Sequence, residues 1–192
     1  MNLLHMFISS MVLSVFLLAG CGQGSTTNAD LDRVLDVTIA TMADFENTFV
    51  GAISDTAMVK FVGQLTNNLN TSKPKVHPGP VGVRLEDDGS FLGYHDKNSD
   101  RKQDSGEKNL FTVEIDSEKQ RILASNQEFV RDHSFSGMGT GLMAGMLVNN
   151  LMNRQRGSGV NPQTLSSKAA TPRAIYQTAR SRSGSGSHAS GK

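Results

Sequence analysis

Tryptophan is absent from these 192 residues, and cysteine occurs once, at Cys21. A single cysteine excludes any disulfide within the chain, so folding rests on apolar burial and hydrogen bonds. No stretch reaches the ~20 apolar residues that a membrane-spanning helix needs. Acid is missing from the rear: residues 133–192 hold none of the 18 Asp and Glu but seven of the 19 Lys and Arg. The formal charge of +1 is therefore a −6 front (residues 1–132) joined to a +7 rear, which argues for separate tasks. Catalytic signatures are missing too. There is no nucleophile elbow, zinc-ligand spacing, phosphate-cradling glycine loop or apolar carboxylate pair, and the five histidines (5, 77, 95, 133 and 188) are scattered. The expectation is a non-enzymatic protein. With 37% hydrophobic residues the chain can hold one modest domain.

What is present begins with Met6 to Gly20 (MFISSMVLSVFLLAG), an apolar run of signal-peptide length. It ends in Leu18-Ala19-Gly20-Cys21. These four residues resemble the lipobox of bacterial lipoproteins, a family whose cysteine carries a diacylglycerol and becomes the acylated amino terminus. The resemblance implies that residues 1–20 are a removable signal and that Cys21 is lipidated. It also implies a protein anchored to the cell membrane or outer membrane on its periplasmic or extracellular face. Residues 21–28 then form a small polar tether.

Residues 29–135 read as a small α+β domain. Leu31, Leu35, Ile39, Met42, Phe45 and Phe49 recur at helical steps, with Asn28 as an expected cap and Gly51 as a break. A second helix carries Ile53, Met58, Phe61, Val62 and Leu65 on its apolar side, giving an αα-hairpin over residues 29–70. Three prolines and a glycine in 70–80 mark a linker, where His77 has no evident role. Alternation at Val81, Val83 and Leu85, then Phe91 to Tyr94, Leu110 to Ile115, Ile122 and Leu123, and Phe129 and Val130, predicts an antiparallel meander over 81–131.

Between two of these strands lies Asp96 to Glu107, D-K-N-S-D-R-K-Q-D-S-G-E. Oxygen-bearing side chains fall at loop positions 1, 3, 5 and 9 (Asp96, Asn98, Asp100, Asp104), with Glu107 at position 12. A hard cation taking six to eight oxygens can be wrapped by a short loop whose alternate side chains turn inward. The stretch resembles the calcium-binding loops of EF-hands, in particular those of extracellular bacterial modules such as dockerins. That likeness covers about a dozen residues. It implies side-chain ligands from Asp96, Asn98, Asp100 and Asp104, a backbone carbonyl from Lys102, and a bidentate Glu107. Position 6, glycine in that family, is Arg101, so a non-glycine residue must take positive φ. Flanking strands imply a structural calcium site between strands. Four cations (Lys97, Arg101, Lys102 and Lys108) oppose its carboxylates.

Residues 136–153 hold Gly137, Gly141 and Gly145 at four-residue spacing, which resembles the glycine-zipper segments of bacterial envelope proteins. The resemblance implies self-association through Gly137 to Met152, or partial insertion in a bilayer; packing back onto the sheet is the alternative. Residues 154–192 are poor in large apolar side chains and read as a disordered basic tail. Its bases suit anionic lipid or lipopolysaccharide, and an exported protein seldom meets nucleic acid. Two functional readings follow: a lipid-anchored envelope protein with a structural calcium loop, or a membrane-associated assembly protein acting through the glycine-rich helix and the tail, without calcium.

Overall fold

The computed structural model describes residues 28–135 and 145–184. Helix α1 (Leu31–Thr48) opens at Asp30, whose side chain accepts from Arg33 N at 3.2 Å. The cap expected at Asn28 thus falls two residues later, and the Asn28 amide donates to Glu128 Oε2 instead. Gly51, at φ 125°, turns the chain into α2 (Asp55–Thr71), capped by Ser54. The two helices bury the faces read from the sequence: Leu31, Leu35, Met42 and Phe45 of α1 meet Met58, Phe61 and Leu65 of α2.

Five strands follow: β1 (Val81–Leu85), β2 (Phe91–His95), β3 (Asn109–Asp116), β4 (Arg121–Ser125) and β5 (Val130–Ser134). Each pairs antiparallel with the next, in the order β1-β2-β3-β4-β5. The fold is therefore α+β, two helices against a five-stranded meander. Side-chain alternation puts Val113, Ile115, Ile122 and Ala124 in the helix-facing core. Glu114 and Leu123, cross-strand partners, point to the other face with Arg121.

Two expectations change at the rear of the chain. Helix α3 (Met146–Gly157) begins only after Gly145, which is its N-cap. Leu147, Val148 and Leu151 are fully buried in the main core. The spacing i, i+1, i+4 makes one narrow apolar stripe, and Asn149 and Asn150 fall off it, so the stripe serves this domain's own core. Gly145 thus lies at a helix start and not along a helix face, while Gly137 and Gly141 lie outside the described residues. Among the described residues, no helix is long and apolar enough to cross a membrane.

The stretch read as a disordered basic tail is folded as far as Gly184. It continues α3, then forms α4 (Pro162–Ser167) and α5 (Arg173–Gly184). Few large apolar residues suffice because two of them, Leu165 and Tyr176, find prepared receptors. Leu165 is buried, and Arg121, also buried, donates through Nη2 to the carbonyls of Leu165, Ser166 and Lys168. Lys168 pairs with Glu114, tying α4 to the sheet's second face. Tyr176, 2% exposed, takes the Leu31 N–H on its hydroxyl at 2.6 Å, and its ring lies beside Phe129 and under the Arg131 guanidinium. Thr171 completes the β5 edge by exchanging hydrogen bonds with Val130.

Candidate metal-binding loop

The β2–β3 connection is closed at its neck, where His95 N donates to Lys108 O at 2.9 Å and Asp96 N to Pro80 O at 3.1 Å. Asp96 is 3% exposed, which orients its carboxylate into the loop. Its Oδ1 accepts from Asp100 N at 3.2 Å and its Oδ2 from Arg101 N at 3.1 Å. These bonds hold the chain through two left-handed residues, Ser99 (φ 60°) and Arg101 (φ 64°). Each such residue costs about 1 kcal/mol outside glycine, so the carboxylate of Asp96 organises a turn the local sequence disfavours. Arg101 takes the positive φ that position 6 demands.

The remaining members are drawn toward the same turn. Asn98 Oδ1 accepts from Asp100 N at 3.1 Å, and Asp100 Oδ1 accepts from Lys102 N at 2.8 Å. The Asn98 amide nitrogen donates to Asp100 Oδ2 at 3.0 Å and to Asp104 Oδ2 at 2.9 Å, so positions 3, 5 and 9 share one point. Glu107 closes the ring by accepting from Lys97 N at 2.7 Å and from Asp104 N at 3.1 Å, one amide on each carboxylate oxygen. Lys102 enters the network through its amide. Even so, among the described residues no group of three or more His, Cys, Asp or Glu side chains stands close enough to hold a metal ion. The Asn98 amide occupies the space between Asp100 and Asp104.

Sequence reasoning did not single out Tyr94 or Gln103. Tyr94, 1% exposed, lies against Gly82, where a Cβ would meet its ring at 2.2 Å. Burial raises its phenol pKa, and the nearby negative charges of Asp96, Glu107 and Asp100 raise it further. The loop's field thus reaches one buried phenol. Gln103 braces the loop's exit by donating to Glu107 O at 3.1 Å and Asn109 Oδ1 at 2.7 Å. The sequence marks Tyr94 only as a strand residue and Gln103 not at all, because their contacts with Gly82 and Asn109 exist only once the strands pair.

Beside the loop lies an open cavity of about 920 Å³, lined among others by Asn28, His77, His95, Lys97 and Glu107. His77, given no role above, is buried there; its ring meets His95 edge-on at 4.9 Å, and its Nδ1 lies 3.1 Å from Gly79 N. Cys21 lies outside the described residues.

Fold and loop define a class, a small α+β protein whose β2–β3 connection carries a hydrogen-bonded cluster of carboxylate and amide side chains. No protein-family model matches the chain, and no curated protein or solved structure matches it.

Proposed function

We propose that this is a non-enzymatic, lipid-anchored cell-envelope protein whose Asp96 to Glu107 loop binds calcium as a structural brace. The observation that carries the reading is the inward hydrogen bonding of Asp96, Asn98, Asp100, Asp104 and Glu107 around the Arg101 turn. An all-oxygen donor set suits a hard cation and offers nothing to softer metals. Asn98 must turn its carbonyl oxygen toward Asp100 and Asp104 for the ion to enter, which replaces two amide donations by coordination. Lys102 would supply its backbone carbonyl and Glu107 both carboxylate oxygens. Calcium would then fix the register of a hairpin whose connection draws four carboxylates into one turn. Cys21, by its lipobox setting, would carry the acyl anchor that holds the protein on a bilayer.

Titration calorimetry on the mature chain from Cys21 tests this. Calcium binding is expected with Kd in the range of about 10⁻⁴ to 10⁻³ M typical of extracellular modules. It should be lost in an Asp96→Ala, Glu107→Ala double variant. Absence of calcium heat at millimolar ion, or equal heat from the double variant, sinks the reading.

One observation favours a second reading, assembly through the glycine-rich segment. Its two flanks lie at one end of the domain: Phe135 N bonds Gln120 O, and the amides of Met146 and Leu147 bond Glu46 near the end of α1. Met146, which follows Gly145, is exposed, as is Val50 just beyond the end of α1. Crosslinking in membranes before and after Gly141→Leu tests this; unchanged oligomers count against it.

A further inference from the structure

The candidate calcium loop and the point where the tether enters the domain lie at the same end. Asn28, the first described residue, lines the cavity together with Lys97, Glu107 and Lys108. Asp30 N donates to Val76 O at 2.8 Å, and Arg33 Nη2 to Lys73 O at 2.7 Å, so residues 73–76 belong to that end too. The β4–β5 turn at Asn126 to Glu128 completes it. The opposite end carries Gly51, the β1–β2 and β3–β4 turns, and both flanks of the glycine-rich segment. Helix α1, 18 residues, puts roughly 27 Å between the two.

Charge is uneven between these ends. Within this end, residues 73–80 and 96–108 expose six cations, Lys73, Lys75, Lys97, Arg101, Lys102 and Lys108. The same residues expose two carboxylates, Asp100 and Asp104, since Asp96 is buried and Glu107 half-buried, and Glu128 of the β4–β5 turn is exposed beside them. For a loop that held calcium and did nothing else, four cations in or beside the coordinating segment would only weaken binding. Set against an anionic surface, they are complementary. Calcium in the loop would offset Asp100 and Asp104 and leave the cations in excess.

We infer that this end of the domain, residues 73–80 and 96–108, docks on anionic phospholipid headgroups. The orientation rests on the lipid-anchor reading above. Only seven residues separate Cys21 from Ala29, a tether that spans at most about 25 Å. The domain end that receives it therefore stands against the headgroups. Phe135 and Gly145, the described residues on either side of the glycine-rich segment, lie at the other end.

Co-sedimentation with phosphatidylcholine vesicles, with and without phosphatidylglycerol, tests the surface. The mature chain is used acylated and as the unacylated Cys21→Ser variant. The Cys21→Ser chain should sediment with anionic vesicles and stay in solution with neutral ones, more strongly in calcium than in chelator. Each cation near an anionic surface contributes about a fivefold factor. Lys75→Glu with Lys102→Glu and Lys108→Glu should therefore weaken binding by about tenfold or more. Lys60→Glu with Lys119→Glu and Arg156→Glu, the same charge change at other exposed sites, should leave binding within about twofold. Circular dichroism confirms that both triple variants are folded. Equal binding by the two variants, or no preference for anionic vesicles, overturns the inference. Failure of the acylated chain to sediment with neutral vesicles overturns the anchor reading instead. Anionic binding that ignores calcium counts against the metal reading alone.

Discussion

The side-chain amide of Asn98 donates to the Oδ2 of Asp104, six residues further on, at 2.9 Å. The same nitrogen reaches Asp100 Oδ2 at 3.0 Å, so one neutral amide separates two carboxylates. Replacing it by a carboxylate removes both donations and adds a third like charge. Asn98→Asp should lower the melting temperature in chelator and raise calcium affinity on the order of several-fold, because affinity in such loops follows ligand charge count. Thermal unfolding with and without calcium reads both effects. A variant whose melting temperature does not respond to calcium contradicts the loop assignment.

Tyr94 offers an optical report on the same loop. Burial and the charges of Asp96, Glu107 and Asp100 hold its pKa above the usual 10. A raised folded-state value means that the stability Tyr94 contributes is complete below pH 10 and is lost as pH climbs through the folded pKa. Bound calcium opposes the three carboxylate contributions, so it should bring the Tyr94 titration down, toward but not below the ordinary value. Tyr176 is also raised, chiefly by burial, and lies among other residues, so calcium should leave its titration in place. Ultraviolet titration of tyrosinate with and without calcium distinguishes the two. Identical curves count against an ion near Asp96.

Arg121 joins the sheet to the rear of the chain. Its guanidinium pairs with Asp116 at 2.8 Å and Asp132 at 2.9 Å, and the side chain of Asp116 is fully buried. Arg121→Met leaves the Asp116 charge buried without its partner and takes one donor away from each of three α4-end carbonyls, of which Leu165 O still accepts from Lys168 N. Breaking such a pair costs on the order of 3–5 kcal/mol. Denaturant unfolding should show the loss, and Asp116→Asn in the same chain should restore part of it. A loss below about 1 kcal/mol would mean that α4 is not held as described.

Truncation tests whether the basic rear belongs to the fold. A chain ending at residue 135 loses Leu147, Val148 and Leu151, each 0% exposed. Each buried apolar side chain of this size contributes about 1.5–3 kcal/mol, against a typical total of 5–15. The shortened chain should unfold without a cooperative transition in circular dichroism. An unchanged melting temperature would show that α3 is dispensable.

The helices and the meander were legible because their signals are local. Apolar residues at three- and four-residue steps from Leu31 to Phe45, alternation from Val81 to Leu85, and Gly51 between the helices each act within one element. The rear was misread because its stabilising contacts are distant. Tyr176 is held by Leu31, 145 residues away, and Arg121 by carbonyls 44 to 47 residues further along. Composition alone makes residues 154–184 look too polar to order, since it does not show that two apolar side chains have receptors. Within the loop, donor spacing was readable in Asp96 to Glu107, as was the demand on Arg101. The role of the Asn98 amide was not, because residue type does not tell which end of an amide turns inward.

A crystal structure of the mature chain grown in millimolar calcium measures the central claim most directly. The account predicts one ion coordinated by oxygens of Asp96, Asn98, Asp100 and Glu107 at about 2.3–2.6 Å, with Asn98 turned so that its carbonyl faces Asp100 and Asp104. A loop that keeps the Asn98 amide between those carboxylates, with calcium nowhere near them, would contradict it.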